Sequence, residues 1–81
     1  MYSTMRKKIF KTLGLRVSQS ALVAVQGKND FSFAEVGLDS LELLGFIMDI
    51  EKDFGIVIEF EKLNPSDLQT LSGLIKVLGR P

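Results

Sequence analysis

Apolar residues in this chain recur mostly at the three- and four-residue spacing of helices. The clearest stripe is Leu43, Phe46, Ile47, Ile50 and Phe54, which predicts a helix from Ser40 to about Phe54. Asp39 stands at a natural N-cap, Glu42 three residues later completes a box-like cap, and Gly55 supplies the stop. Met5, Ile9 and Leu13, with Phe10 beside them, predict a first helix from about Ser3 to Leu13, capped by Ser3 or Thr4 and ended by Gly14. Leu68, Leu71, Leu74, Ile75 and Leu78 predict a last helix that starts after Pro65. Ser66 or Asp67 is its cap, Gly79 closes it and Pro81 follows.

The stretch 15–38 is less regular, with loop chemistry at Ser18, Gln19, Ser20, Gly27, Asn29 and Asp30. Ala21–Val25 has a strand-like pattern, but no second run is placed to pair with it. It reads instead as loop whose apolar residues pack over the core, with Phe31, Phe33 and Val36 pinning the far end. Ile56–Phe60 alternates weakly and reads as an extended link into one helical turn near Phe60–Leu63. The sum is an all-α fold: a small antiparallel four-helix bundle, three longer helices plus a short one, with a long loop between the first two. Residues 1–81 are expected to form a single domain.

The helix at 40–54 carries a second apolar set, Leu41, Leu44 and Met48, roughly opposite Ile50 and flanked by Glu42, Asp49 and Lys52. A helix with two apolar faces either binds something or is sandwiched inside its own fold.

Composition narrows the chemistry. A chain of 81 residues builds only a modest core. It has neither Cys nor His, which excludes disulfides and thiolate metal sites and removes the commonest metal ligand and the commonest general base. A metal centre and a catalytic residue are therefore not expected. Absence of Cys suits a reducing compartment, and no stretch has the length of a signal peptide's apolar run or of a bilayer span, so the expected location is cytoplasmic. The acid-free residues 1–28 share a transit peptide's composition, but their removal would take away a helix that the core needs. Net charge is zero but uneven: Arg6, Lys7, Lys8, Lys11, Arg16 and Lys28 precede every acid in the chain. The basic front helix could lie on an anionic membrane or touch nucleic acid. The reading preferred is an apolar side in the bundle with lysines in water, so that neither nucleic acid nor stable membrane insertion is expected, and the chain is read as a monomer.

The stretch from Phe33 to Gly55, FAEVGLDSLELLGFIMDIEKDFG, resembles the acyl carrier protein family. The resemblance is carried by Phe33, by Gly37, Leu38, Asp39, Ser40 and Leu41, and by Glu51, Asp53, Phe54 and Gly55. It extends through Ile56, Ile58 and the last helix, while the first thirty or so residues match only in arrangement. It implies a 4′-phosphopantetheine group esterified to the Ser40 hydroxyl by a separate phosphopantetheinyl transferase, with Asp39 and Leu41 beside it. The group's thiol would hold an acyl chain as a thioester for acyl-transferring or condensing enzymes of fatty-acid, polyketide or related specialised biosynthesis. Asp39-Ser40 also suits an ordinary helix cap, and the two readings are compatible, since Asp39 can cap while Ser40 is modified.

By the same resemblance, Asp39, Leu41, Glu42, Leu44, Met48, Asp49 and Glu51 form a docking surface for partner enzymes, acids steering and apolar residues binding. Phe46, Ile47, Ile58, Leu63 and Leu71 would line a shelter for the acyl chain; they equally suit a solid core. Departures from the family are Gly45 where an acid is common, Lys52 within an acidic run, Glu59 in place of a frequent Pro, and the neutral overall charge. They leave a specialised carrier as plausible as one for general fatty-acid synthesis. The other reading is a carrier-fold adaptor, never modified, that binds partners through helix 40–54.

Overall fold

A computed structural model describes residues 2–79 of the chain. These residues contain four α-helices and no strand: α1 (Tyr2–Leu13), α2 (Gln19–Gln26), α3 (Ser40–Phe54) and α4 (Leu71–Leu78). Short 3₁₀ turns at Phe33–Val36, Phe60–Lys62 and Pro65–Leu68 join them. The expected small all-α bundle is thus the fold.

The apolar stripes meet in one core. Ile9 and Leu13 of α1, Phe46, Ile47 and Ile50 of α3, and Leu71 and Leu74 of α4 are all buried. Four aromatic rings run edge to face through it, from Phe10 to Phe31, Phe33 and Phe46, with centroid spacings of 5.7, 5.8 and 5.1 Å. Burial of each large side chain contributes about 1.5–3 kcal/mol, so these few residues dominate the stability of a small domain. Among the described residues of α1, Thr12 is the buried polar one, and its hydroxyl donates to the Asp53 carboxylate near the end of α3.

The structure corrects the long loop. Ala21–Val25 lies inside α2, where Ser18 caps the helix by accepting the Ala21 N–H at 3.2 Å. Leu22 and Val25, three apart, turn toward the core, so the apolar run satisfies its backbone as a helix and needs no strand partner. The segment 27–39, whose one regular element is the 3₁₀ turn Phe33–Val36, is tied down at its middle. The Leu71 N–H donates to Phe31 O at 3.0 Å, the Phe33 N–H to Gln69 O at 2.8 Å, and Ser32 and Thr70 form an isolated bridge.

Smaller corrections concern helix ends. The helix α1 already includes Tyr2, so Ser3 and Thr4 lie inside it and not at its cap; the side chain of Ser3, like Pro81, is outside the described residues. Pro65 starts a 3₁₀ turn capped by Asn64, not by Ser66 or Asp67. The helix α4 begins after Thr70, which accepts the Gly73 N–H at 3.1 Å. Gln69 ends the turn still in the right-handed region, its carbonyl accepts the Phe33 N–H, and Thr70 is extended, which separates the two elements. Near Phe60–Leu63 the expected helical turn is the 3₁₀ turn Phe60–Lys62.

Candidate functional site

The approach to Ser40 is built by its local sequence. Phe33 and Val36 bury the 3₁₀ turn before it. Gly37 then adopts φ +93°, a left-handed conformation that glycine takes without steric cost, and reverses the chain. Leu38 is buried and anchors the far side of that reversal. Asp39 is extended and caps α3, its Oδ1 accepting the Glu42 N–H at 2.8 Å. The reciprocal half of the expected capping box is replaced, because the Glu42 carboxylate turns to Arg16. Ser40, the first residue of α3, is exposed. Since Asp39 makes the cap, the Ser40 hydroxyl stays outside it, at the helix end where first-turn N–H groups face outward.

Two clefts open beside Ser40. One, of about 280 Å³, runs between α3 and the 60–69 segment and is lined by Leu43, Leu44, Ile47, Phe60, Leu63 and Leu68. The other, of about 250 Å³, lies toward Ser32, Ala34, Leu38 and Gln69. Of the five residues expected around an acyl chain, Ile47 and Leu63 line the first cleft. Phe46 and Leu71 are fully buried in the core, and Ile58 faces a separate hollow with Leu63, Val77 and Leu78. Phe60, Leu68 and Gln69 are cleft residues that the sequence did not suggest. The sequence pattern puts Leu68 in the last helix and Phe60 in the link and helical turn before it, with no sign that either meets Ser40.

On the outer face of α3, Leu41, Leu44 and Met48 are 78, 49 and 58% exposed. They share that face, as helical spacing requires. The acids beside them are engaged internally. Arg16 Nε donates to Asp49 Oδ2 at 2.9 Å and Arg16 Nη1 to Glu42 Oε2 at 3.3 Å. Glu51 Oε2 accepts the Ile58 N–H at 2.7 Å. Arg16 was not among the expected site residues; its one sequence signal is Gly45, a bare position in mid-helix between Glu42 and Asp49.

Electrostatics elsewhere serve the scaffold. The Ser72 N–H, followed by the Ser72 hydroxyl, holds Asp30 below the usual carboxylate range. Glu35 is lowered first by the Ser32 N–H and then by Lys28. On α1, Arg6 donates to Gln26 O and Lys28 O and covers the Phe10 ring at 4.7 Å, while Lys8 lies 4.7 Å over Phe54. Ile9 and Leu13 are turned into the bundle. Among the described residues no helix is long and apolar enough to cross a membrane.

The family model described as phosphopantetheine attachment site matches residues 23–78, a span that contains Ser40, both clefts and α4. The chain belongs to this family. No curated protein and no solved structure gives a match. As a phosphopantetheine carrier, the protein holds 4′-phosphopantetheine covalently and works with transferases and biosynthetic enzymes. The structure fits such a group: it offers an exposed hydroxyl at a helix N-terminus with open, largely apolar space beside it.

Proposed function

We propose that Ser40 is the attachment residue and that the chain is a single, non-catalytic acyl carrier domain, residues 1–81, acting in the cytoplasm as a monomer. The observation that carries this reading is the exposed Ser40 hydroxyl at the start of α3, inside the matched family segment, with its helix cap already made by Asp39. When bound through a phosphodiester, the group supplies the terminal thiol for thioester chemistry that a chain without Cys lacks.

The chain's own residues position and present. Asp39 fixes the first turn, so that the hydroxyl is offered in one place. The α3 N-terminus favours an anion there by about 0.3–1 kcal/mol, which supports the product without selecting the site. A serine needs a positioned base to act as a nucleophile. The chain has no His, and the neighbouring Asp39 carboxylate is engaged as the helix cap, so that base is assigned to the transferase. Leu44, Ile47, Phe60 and Leu63 offer apolar shelter next to Ser40 for an acyl chain. Leu41, Leu44 and Met48 give partner enzymes an apolar contact, bordered by Asp39, Glu42, Asp49 and Glu51. The biosynthetic setting is fatty-acid, polyketide or related specialised metabolism.

The test is intact mass after incubation with coenzyme A, magnesium and a broad-specificity phosphopantetheinyl transferase. One phosphopantetheine mass should be gained, and Ser40→Ala should gain none. A wild-type chain that gains no mass, yet loses partner binding on Leu44→Glu, would instead be an unmodified adaptor.

A further inference from the structure

Arg16 belongs to the short connection between α1 and α2, yet its guanidinium crosses to α3 and lies over the backbone of Gly45. A Cβ at position 45 would stand 2.8 Å from Nη1 and 2.9 Å from Cζ and Nη2. Glycine weakens a helix interior, so α3 carries an unfavourable residue at the one place where the guanidinium needs room. From there Arg16 reaches Glu42 on one side and Asp49 on the other, at 3.3 and 2.9 Å. It is the least exposed member of the trio, with 27% of its side chain accessible against 50% for Glu42 and 38% for Asp49. The remaining α3 carboxylates are also spoken for: Glu51 by the Ile58 N–H and Asp53 by the Thr12 hydroxyl.

The geometry points to Arg16 as a specificity-determining residue of the partner surface: by holding Glu42 and Asp49 in internal ion pairs across Gly45, it makes the carrier select partners through its apolar strip and not through a basic patch that reads those acids. This inference rests on the carrier reading. A basic partner that approached Glu42 or Asp49 would have to share each carboxylate with Arg16 and would meet a like charge at close range. Leu41, Leu44 and Met48 carry no such conflict, and contacts through them are indifferent to salt.

The test measures calorimetric binding of the full, unmodified chain to a transferase with a basic carrier-binding face, without coenzyme A, at about 0.01 M and about 0.5 M salt. Wild-type affinity should change little between the two. Arg16→Gln should bind roughly three- to tenfold more tightly at low salt, with the gain gone at high salt. Adding Glu42→Gln and Asp49→Asn to that variant should erase the gain. A loss of packing alone would lower the melting temperature without creating this salt dependence. Should Arg16→Gln not fold, Gly45→Gln, which crowds the guanidinium away and favours the helix, should show the same low-salt gain. No gain in the folded variant, or a gain that survives neutralisation of both acids, overturns the role of Arg16. The separate mass measurement distinguishes the two readings: a wild-type chain that is never modified overturns the carrier, whereas a modified chain indifferent to Arg16→Gln overturns only this inference.

Discussion

Asp30 and Ser72, 42 residues apart, hold one another through two hydrogen bonds of 2.8 Å: the Ser72 N–H donates to Oδ1 and the Ser72 hydroxyl to Oδ2. Thr70 caps the next N–H of the same first turn, so the start of α4 is capped both from its own end and from the loop that leads to Ser40. The loop and the helix therefore fix each other. Asp30→Ala should leave a first-turn N–H without its charged acceptor and cost about 1 kcal/mol. In a domain of this size that lowers the melting temperature by about 4–8 °C. Thermal unfolding followed by circular dichroism checks it, and an unchanged melting temperature would show that the tie carries no stability.

The same tie sets an acid dependence. Asp30 and Glu35 both have folded-state pKa values below their ordinary ones, the first through Ser72 and the second through the Ser32 N–H and then Lys28. A lowered folded pKa means that the unfolded chain binds protons first. The stabilisation is therefore complete above the ordinary carboxylate range, about 4, and is lost as pH falls through the depressed folded values. Urea midpoints should be flat near neutrality and decline below that range. In Asp30→Asn the decline should be shallower, because one of the two linked groups is gone. An identical pH profile for the variant would remove Asp30 from the account.

Much of this was legible in the chain. The helix α3, its Asp39 cap and its Gly55 stop follow from a long stripe flanked by strong local signals, and Gly55 indeed sits at φ +65°. The helix α2 escaped because ALVAV has too few polar residues to show a helical period, and its cap, Ser18, lies within a Ser-rich stretch that reads as loop. The start of α4 was misplaced because Pro65-Ser66-Asp67 is a genuine helix-start signal that is used for a single 3₁₀ turn. What interrupts it, the pairing of Gln69 with Phe33, is a long-range contact with no local sign. Arg16 is hidden for the same reason. Its partners lie 26 and 33 positions away, and only the third dimension brings them together.

Gly73 and Gly45 look alike in sequence, each a glycine within a helix, but the structure separates them. A Cβ on Gly73 would run into the Asp67 backbone, with its carbonyl carbon at 2.8 Å and its Cα at 2.9 Å. That backbone belongs to the 3₁₀ turn that ends at the cleft residue Leu68, and it cannot yield without moving the turn. Gly73→Ala should therefore cost about 1–3 kcal/mol. Gly45→Ala meets only the end of a flexible arginine and gains helix propensity, so its stability should stay within about 1 kcal/mol of wild type. Paired urea titrations decide the matter; equal losses at the two sites would contradict the close approach at Gly73.

Asp39 and Ser40 are adjacent, and the capping and attachment roles assigned to them can be pulled apart. The Asp39 carboxylate accepts the Glu42 N–H, whereas Ser40 is exposed and outside the cap. Asp39→Ala should therefore destabilise the fold by about 1 kcal/mol and still accept the phosphopantetheine mass, at a rate reduced by fraying of the first turn. Ser40→Ala should behave oppositely: a surface change at the first helical position stays within about 0.5 kcal/mol of wild-type stability, yet modification is lost. Measuring melting and mass on the same two variants gives a crossed pattern that neither a pure capping role nor a pure attachment role for the pair produces. If Ser40→Ala melted early while Asp39→Ala did not, the cap would lie on Ser40, and the free hydroxyl on which attachment depends would not exist.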